Sequence, residues 1–127
     1  MRQVLSIEQM KHLKELGLDT SDASMCFEWN ESDSDNMVVT SMDADTNYDY
    51  YHETYTLQDI LNKLPCFIGN QVFTIHKLAD IYTCLYIELY TRSFINITEG
   101  EEFIDAAYDM LCWCIENGYV KVGMEEK

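Results

Sequence analysis

Apolar positions near the start of the chain recur by threes. Ile7, Met10, Leu13 and Leu16 lie on one face of a helix, with Glu8, Lys11 and Glu15 off that stripe. Ser6 precedes the stripe and Gln9 follows it by three, the spacing of a capping box. Gly17 can take the left-handed backbone that ends a helix, and Leu18 can then fold back on Leu13. The pattern next changes period. Met25, Phe27 and Trp29 alternate with Cys26 and Glu28, which predicts a strand with one wet face. The polar run Asn30 to Asn36 is a turn, and Met37 to Met42 returns as a second strand. The two form a hairpin with a loop longer than the favoured two residues.

Asp43 to Tyr55 is acidic and aromatic without a clear period, and predicts a loop with a short edge strand near Tyr50. A second helix starts at Thr56, capped through Asp59. Its face is Leu57, Ile60, Leu61 and Leu64, and Pro65 stops it. Val72 to Leu78 and Ile81 to Tyr90 are β-branched and aromatic, and predict a hairpin turning at Ala79-Asp80. In the second of these strands Tyr82, Cys84 and Tyr86 share one parity and Leu85, Ile87 and Leu89 the other. Apolar residues on both faces predict a central strand covered on both sides, or one wet face lined by the tyrosines. Phe94 to Ile97 adds a short strand. The last helix is expected from about Thr98, with Glu101 as capping partner. Its stripe is Phe103, Ala107, Met110, Leu111 and Cys114, and it ends at Gly118.

The predicted order is α-β-β-α-β-β-(β)-α. Strands joined by hairpins pair antiparallel, so the expected class is α+β: one antiparallel sheet of about four to five strands with three helices. The chain has 127 residues, the commonest size of one domain, and no linker divides it, so residues 1–127 are expected to form a single domain. A chain this long buries roughly two-thirds of its unfolded surface and needs no disulfide or metal staple.

Charge changes the functional picture. Twenty-three acidic residues stand against eight basic ones, a net charge of −15. Phosphate contacts need Lys and Arg, so direct nucleic-acid binding is disfavoured, as is an anionic membrane surface. A basic protein partner is compatible, and so is mimicry of nucleic-acid charge. Between Lys14 and Lys63 there is no Lys or Arg but there are twelve Asp or Glu, with Tyr48, Tyr50, Tyr51 and Tyr55 interleaved. Tyrosine supplies contact area at low entropy cost. The candidate binding residues are therefore Asp43, Asp45, Asp49, Tyr48 and Tyr51. The plainer reading of the same residues is a solvated acidic face that keeps the protein soluble.

Metal and nucleophilic chemistry find weaker support. Asp43, Asp45, Asn47 and Asp49 match positions 1, 3, 5 and 7 of a calcium loop. The glycine position is Tyr48, however, and the bidentate Glu position is Thr54. Cys112 and Cys114 are two apart on a helix, about 200° around its axis, and cannot face one ion. No metal site and no cofactor is expected. The five cysteines are irregularly spaced. The first residues lack an apolar run long enough for a signal peptide, and no run of about 18 apolar residues could span a membrane. A cytoplasmic location with reduced thiols is the expectation. His12, His52 and His76 are the only histidines. A small hydrolase or thiol enzyme pairing a cysteine with His12 or His76 is the alternative to an interaction protein, although no local catalytic motif supports it.

Three segments also carry a resemblance: Val4 to Thr20, Tyr55 to Pro65 and Asp105 to Val120. They resemble small uncharacterised proteins encoded in gut-anaerobe genomes and in their prophages or other mobile elements. These segments coincide with the three predicted helices, so they transfer scaffold and no functional residue. What the resemblance implies is a genomic setting of mobile DNA, and with it an accessory or host-interaction role.

Overall fold

The computed structural model describes residues 3–29, 37–41 and 51–122, with backbone alone at residues 28–29, 37–41 and 51–52. Three helices and two antiparallel sheets make up the described chain, an α+β fold. The elements are α1 (Ile7–Glu15), β1 (Met25–Trp29), β2 (Met37–Ser41), β3 (Tyr51–Thr54), α2 (Leu57–Lys63), β4 (Phe67–Ile68), β5 (Gln71–Leu78), β6 (Ile81–Ile87), β7 (Phe94–Gly100) and α3 (Phe103–Glu116).

The helix ends follow their local chemistry. Ser6 accepts from the Gln9 backbone and Gln9 accepts from the Ser6 backbone, closing the capping box of α1. Its other end is a Schellman turn. Leu18 donates to Leu13 and Gly17 to Lys14, with Gly17 at φ +100°. Thr56 and Asp59 cap α2 in the same reciprocal way. Leu64 is extended because Pro65 follows it. At the end of α3, Tyr119 donates to Cys114 and Gly118 to Ile115, a second Schellman turn. The start of α3 lies later than Thr98. That residue belongs to β7, where its hydroxyl donates to the Ala106 carbonyl at 2.7 Å, and the helix begins after Glu102 without a side-chain cap.

The strands divide into two sheets rather than the single sheet expected. In the first, β1 is central: it pairs with β2 in the register Phe27–Val39 and with β3 in the register Cys26–Glu53. Only Tyr55 and Thr56 separate β3 from α2, and α2 with Pro65 carries the chain away before the next strand. The second sheet runs β4-β5-β6-β7. Its first turn is the two-residue loop Gly69-Asn70, with Gly69 at φ +60°. The β5–β6 turn falls at Ala79-Asp80 as expected.

Among the described residues, one hydrophobic cluster joins the helices to the second sheet. Leu5, Met10, Leu13, Tyr55, Ile60, Ala107, Met110, Leu111 and Cys114 are buried together with Cys84 and Tyr86 of β6. Leu5 donates to Tyr55 and Thr54 donates to Leu5, tying the chain's first segment beside β3. Gln9 donates to Asp105 at 3.1 Å and so links α1 to α3.

A candidate interaction surface

The sequence-predicted site lies almost wholly beyond the described chain. Asp43, Asp45, Tyr48 and Asp49 fall outside the described residues, as does the calcium-like loop they belong to. Tyr51 opens β3, where its backbone position pairs with Glu28. What the structure does resolve is how the flanking cations are used. Lys14 forms an ion pair with Glu53 at 3.2 Å, and Lys63 pairs with Asp22. These are the two lysines that bound the stretch without Lys or Arg, and both are committed to carboxylates within it. Burial pulls the Glu53 carboxyl up, but hydrogen bonds from Thr20 and its own backbone, with the charge of Lys14, outweigh it and lower the pKa. Tyr55, fully buried, donates to Asp22 at 2.9 Å. Burial and then that carboxylate hold its phenol well above the usual tyrosine range.

Cys66 is exposed, and the other four thiols are wholly or partly buried. Cys26, Cys84 and Cys114 are buried, and Cys112 is half-buried. Burial pushes Cys84 up to about 12 and Cys112 and Cys114 up to about 11. A reactive thiol needs the opposite shift. His12 lies 3.8 Å from Glu15 and edge-on to Tyr108, while His76 sits exposed on β5. Among the described residues no group of three or more His, Cys, Asp or Glu is placed to hold a metal ion. None of their helices is long and apolar enough to cross a membrane.

A second surface emerges from β6. Residues opposite one another across strands share a side of the sheet, so the register sorts the side chains. Tyr82, Cys84 and Tyr86 align with Phe73 and Ile75 of β5 and with Asn96, Thr98 and Gly100 of β7. This side meets α3. Tyr82 stacks on Phe103 with centroids 5.5 Å apart, Asn96 donates to Met110 Sδ, and Thr98 reaches Ala106. A Cβ on Gly100 would come within 3.2 Å of the Ala106 backbone nitrogen, so the strand there lies close against the helix.

The opposite side carries Val72, Thr74, His76 and Leu78, then Ile81, Thr83, Leu85 and Ile87, then Phe94, Ile97 and Glu99. A bulge between Tyr86 and Ile87 sets Ile95 beside Phe94. Among the described elements, no helix packs extensively on this side. Leu78 is 80% exposed, Phe94 54% and Ile97 42%. Among the described elements, the strand is thus central but packed by a helix on one side only. Its tyrosines point inward and its aliphatic residues outward, the reverse of a wet face lined by tyrosines. Apolar residues at both parities of Ile81 to Ile87 were the sequence signal for this surface. Without the helix order in space, they read equally as a doubly covered strand. At the rim, Phe67, Asn70, Val72, Glu88, Leu89 and Tyr90 line an open cleft of about 380 Å³. Val72 belongs to both the cleft and the open face. The cleft contains neither Cys nor His.

Comparison with protein-family models, with curated proteins and with solved structures found no match to this chain.

Proposed function

We propose that this protein is a non-enzymatic interaction protein that binds a basic protein partner through the acidic, tyrosine-bearing stretch between Lys14 and Lys63. The observation that carries this reading is the commitment of both bounding lysines. Lys14 is held by Glu53 and Lys63 by Asp22, and no Lys or Arg lies between them. The remaining carboxylates of the stretch therefore lack local neutralisation within it, and a cationic surface supplies what the chain does not. A nucleic-acid-binding groove on another protein has that chemistry, so charge mimicry is the sharper form of the proposal. An accessory role also agrees with the resemblance to mobile-element proteins. Burial and the raised pKa of Cys84, Cys112 and Cys114 speak against these three as the nucleophile of a Cys/His enzyme.

The test is binding kinetics across a salt series, with a partner recovered by affinity capture. Steering by an acidic surface is screened beyond about 8 Å at physiological salt. Association should slow as salt rises. Replacing Asp43, Asp45 and Asp49 together by Asn should slow association while leaving the melting temperature nearly unchanged. Tyr51→Ala should instead speed dissociation. Salt-independent affinity, or full-strength binding by the triple Asn variant, overturns the proposal.

A further inference from the structure

The open face of the four-stranded sheet is a different surface with a different chemistry. We propose that it is a self-association surface, on which a second copy of this chain packs sheet against sheet about a twofold axis.

Three observations select a second copy as the occupant. The face is apolar where Leu85, Ile87, Phe94 and Ile97 adjoin, with Phe94 and Ile97 exposed, and contiguous apolar patches of this kind mark protein contacts. It is also the nearly neutral part of a strongly acidic molecule. Residues 66–100 contain Lys77 and Arg92 against Asp80, Glu88 and Glu99, a net charge of −1. The rest of the chain carries the other −14 of the total of −15. A basic partner is drawn to the acidic stretch, whereas an equally acidic copy meets least repulsion where charge is almost absent. On the face itself the titratable side chains are His76 and Glu99, which flank Thr83 in one cross-strand row between Leu78–Ile81 and the remaining apolar residues.

Size supplies the third observation. Three strands of seven or eight residues and one of two have a footprint of roughly 380 Å² from ordinary strand spacing and rise. A standard interface buries about 800 Å² per partner. The corrugated face has more accessible area than its footprint, and the rim residues Phe67, Leu89 and Tyr90 extend it. The total suits a dimer at the lower end of interface sizes, which forms and dissociates with concentration. A single flat patch on each copy meets itself under twofold symmetry, the commonest arrangement of homo-oligomers. Two such sheets would pack about 10 Å apart.

Sedimentation equilibrium of the whole chain over a concentration and salt series tests the proposal. The expected result is a monomer–dimer equilibrium that strengthens as salt rises, because screening relieves repulsion between the acidic remainders. Binding of the basic partner has the opposite salt dependence, so failure of either proposal leaves the other standing. Ile97→Lys and Phe94→Lys should each give a monomer with unchanged circular dichroism. In the wild type, Ile87 and Ile97 methyl signals should be shielded from a soluble paramagnetic probe at high concentration only. A wild type that stays monomeric throughout overturns the proposal. So does a dimer that survives both substitutions, or methyl exposure that does not change with concentration.

Discussion

Leu85 on β6 stands directly opposite Ile97 on β7, and both point away from the core. Leu85 is only 6% exposed, yet it is not among the residues of the buried cluster that holds its neighbours Cys84 and Tyr86. It stands between Thr74 and Ile97 on the side of the sheet opposite α3.

That placement separates two leucines of similar burial. Leu111 lies on α3, fully buried within the core cluster. Leu111→Ala leaves an enclosed cavity and should cost about 2–5 kcal/mol. Leu85→Ala opens onto an exposed face and leaves no enclosed cavity. Its cost should approach the transfer term alone, about 1.5–2.5 kcal/mol. Denaturant midpoints of the two variants, measured at a concentration where the chain is monomeric, check the order. Equal losses would mean that Leu85 is walled in on all sides.

Tyr86 carries a polar group into the core. Its hydroxyl donates to the Pro65 carbonyl at 2.7 Å, anchoring β6 to the segment after α2. Burial holds the phenol well above its usual range. Tyr86→Phe keeps the ring contact with Phe73 and deletes this hydrogen bond together with the hydroxyl's weaker interaction with the Cys114 thiol. The expected loss is about 1 kcal/mol, with the sheet's circular dichroism unchanged. A neutral substitution would show that the bond contributes nothing net.

The helices were legible because their end chemistry is local. Ser6, Gly17, Thr56, Pro65 and Gly118 each act within a few residues, and each acts as its residue type dictates. Thr98 was misleading for the same reason. Its hydroxyl suits an N-cap, but tertiary packing uses it to bond Ala106 from within β7. The strand β4 was missed although its Gly69-Asn70 pair is a two-residue hairpin turn, since two residues of strand have no period to detect. The division into two sheets was not legible at all, because pairing is a long-range choice that one strand's pattern does not encode. The open face was half legible: apolar residues at both parities of β6 were evident, but which parity met a helix depended on where α3 lies.

Glu53 supplies a pH signature for the region where the two lysines are committed. Thr20 donates to its carboxylate at 2.8 Å, and Lys14 lies 3.2 Å from the same oxygen. Burial opposes ionisation, but the hydrogen bonds and Lys14 win, so the folded pKa lies below the ordinary value of 4.5. A carboxyl lowered on folding stabilises the fold above its unfolded pKa. That stability is lost as pH falls through the folded value. Glu53→Gln keeps an oxygen for Thr20 and removes the charge facing Lys14. At neutral pH the variant should melt lower, by the equivalent of up to about 1 kcal/mol, since Lys14 is half exposed and solvent weakens the pair. The gap should narrow steadily below pH 4.5 and vanish once the wild-type carboxyl is protonated. Lys14→Met should reproduce the neutral-pH loss and add little on top of Glu53→Gln, because the two substitutions break one interaction. Melting curves of the wild type, the two single variants and the double variant, from acid to neutral pH, give both tests. A gap independent of pH would mean that the Glu53→Gln substitution disturbs packing rather than charge, and additive losses would mean that the lysine and the carboxylate act separately.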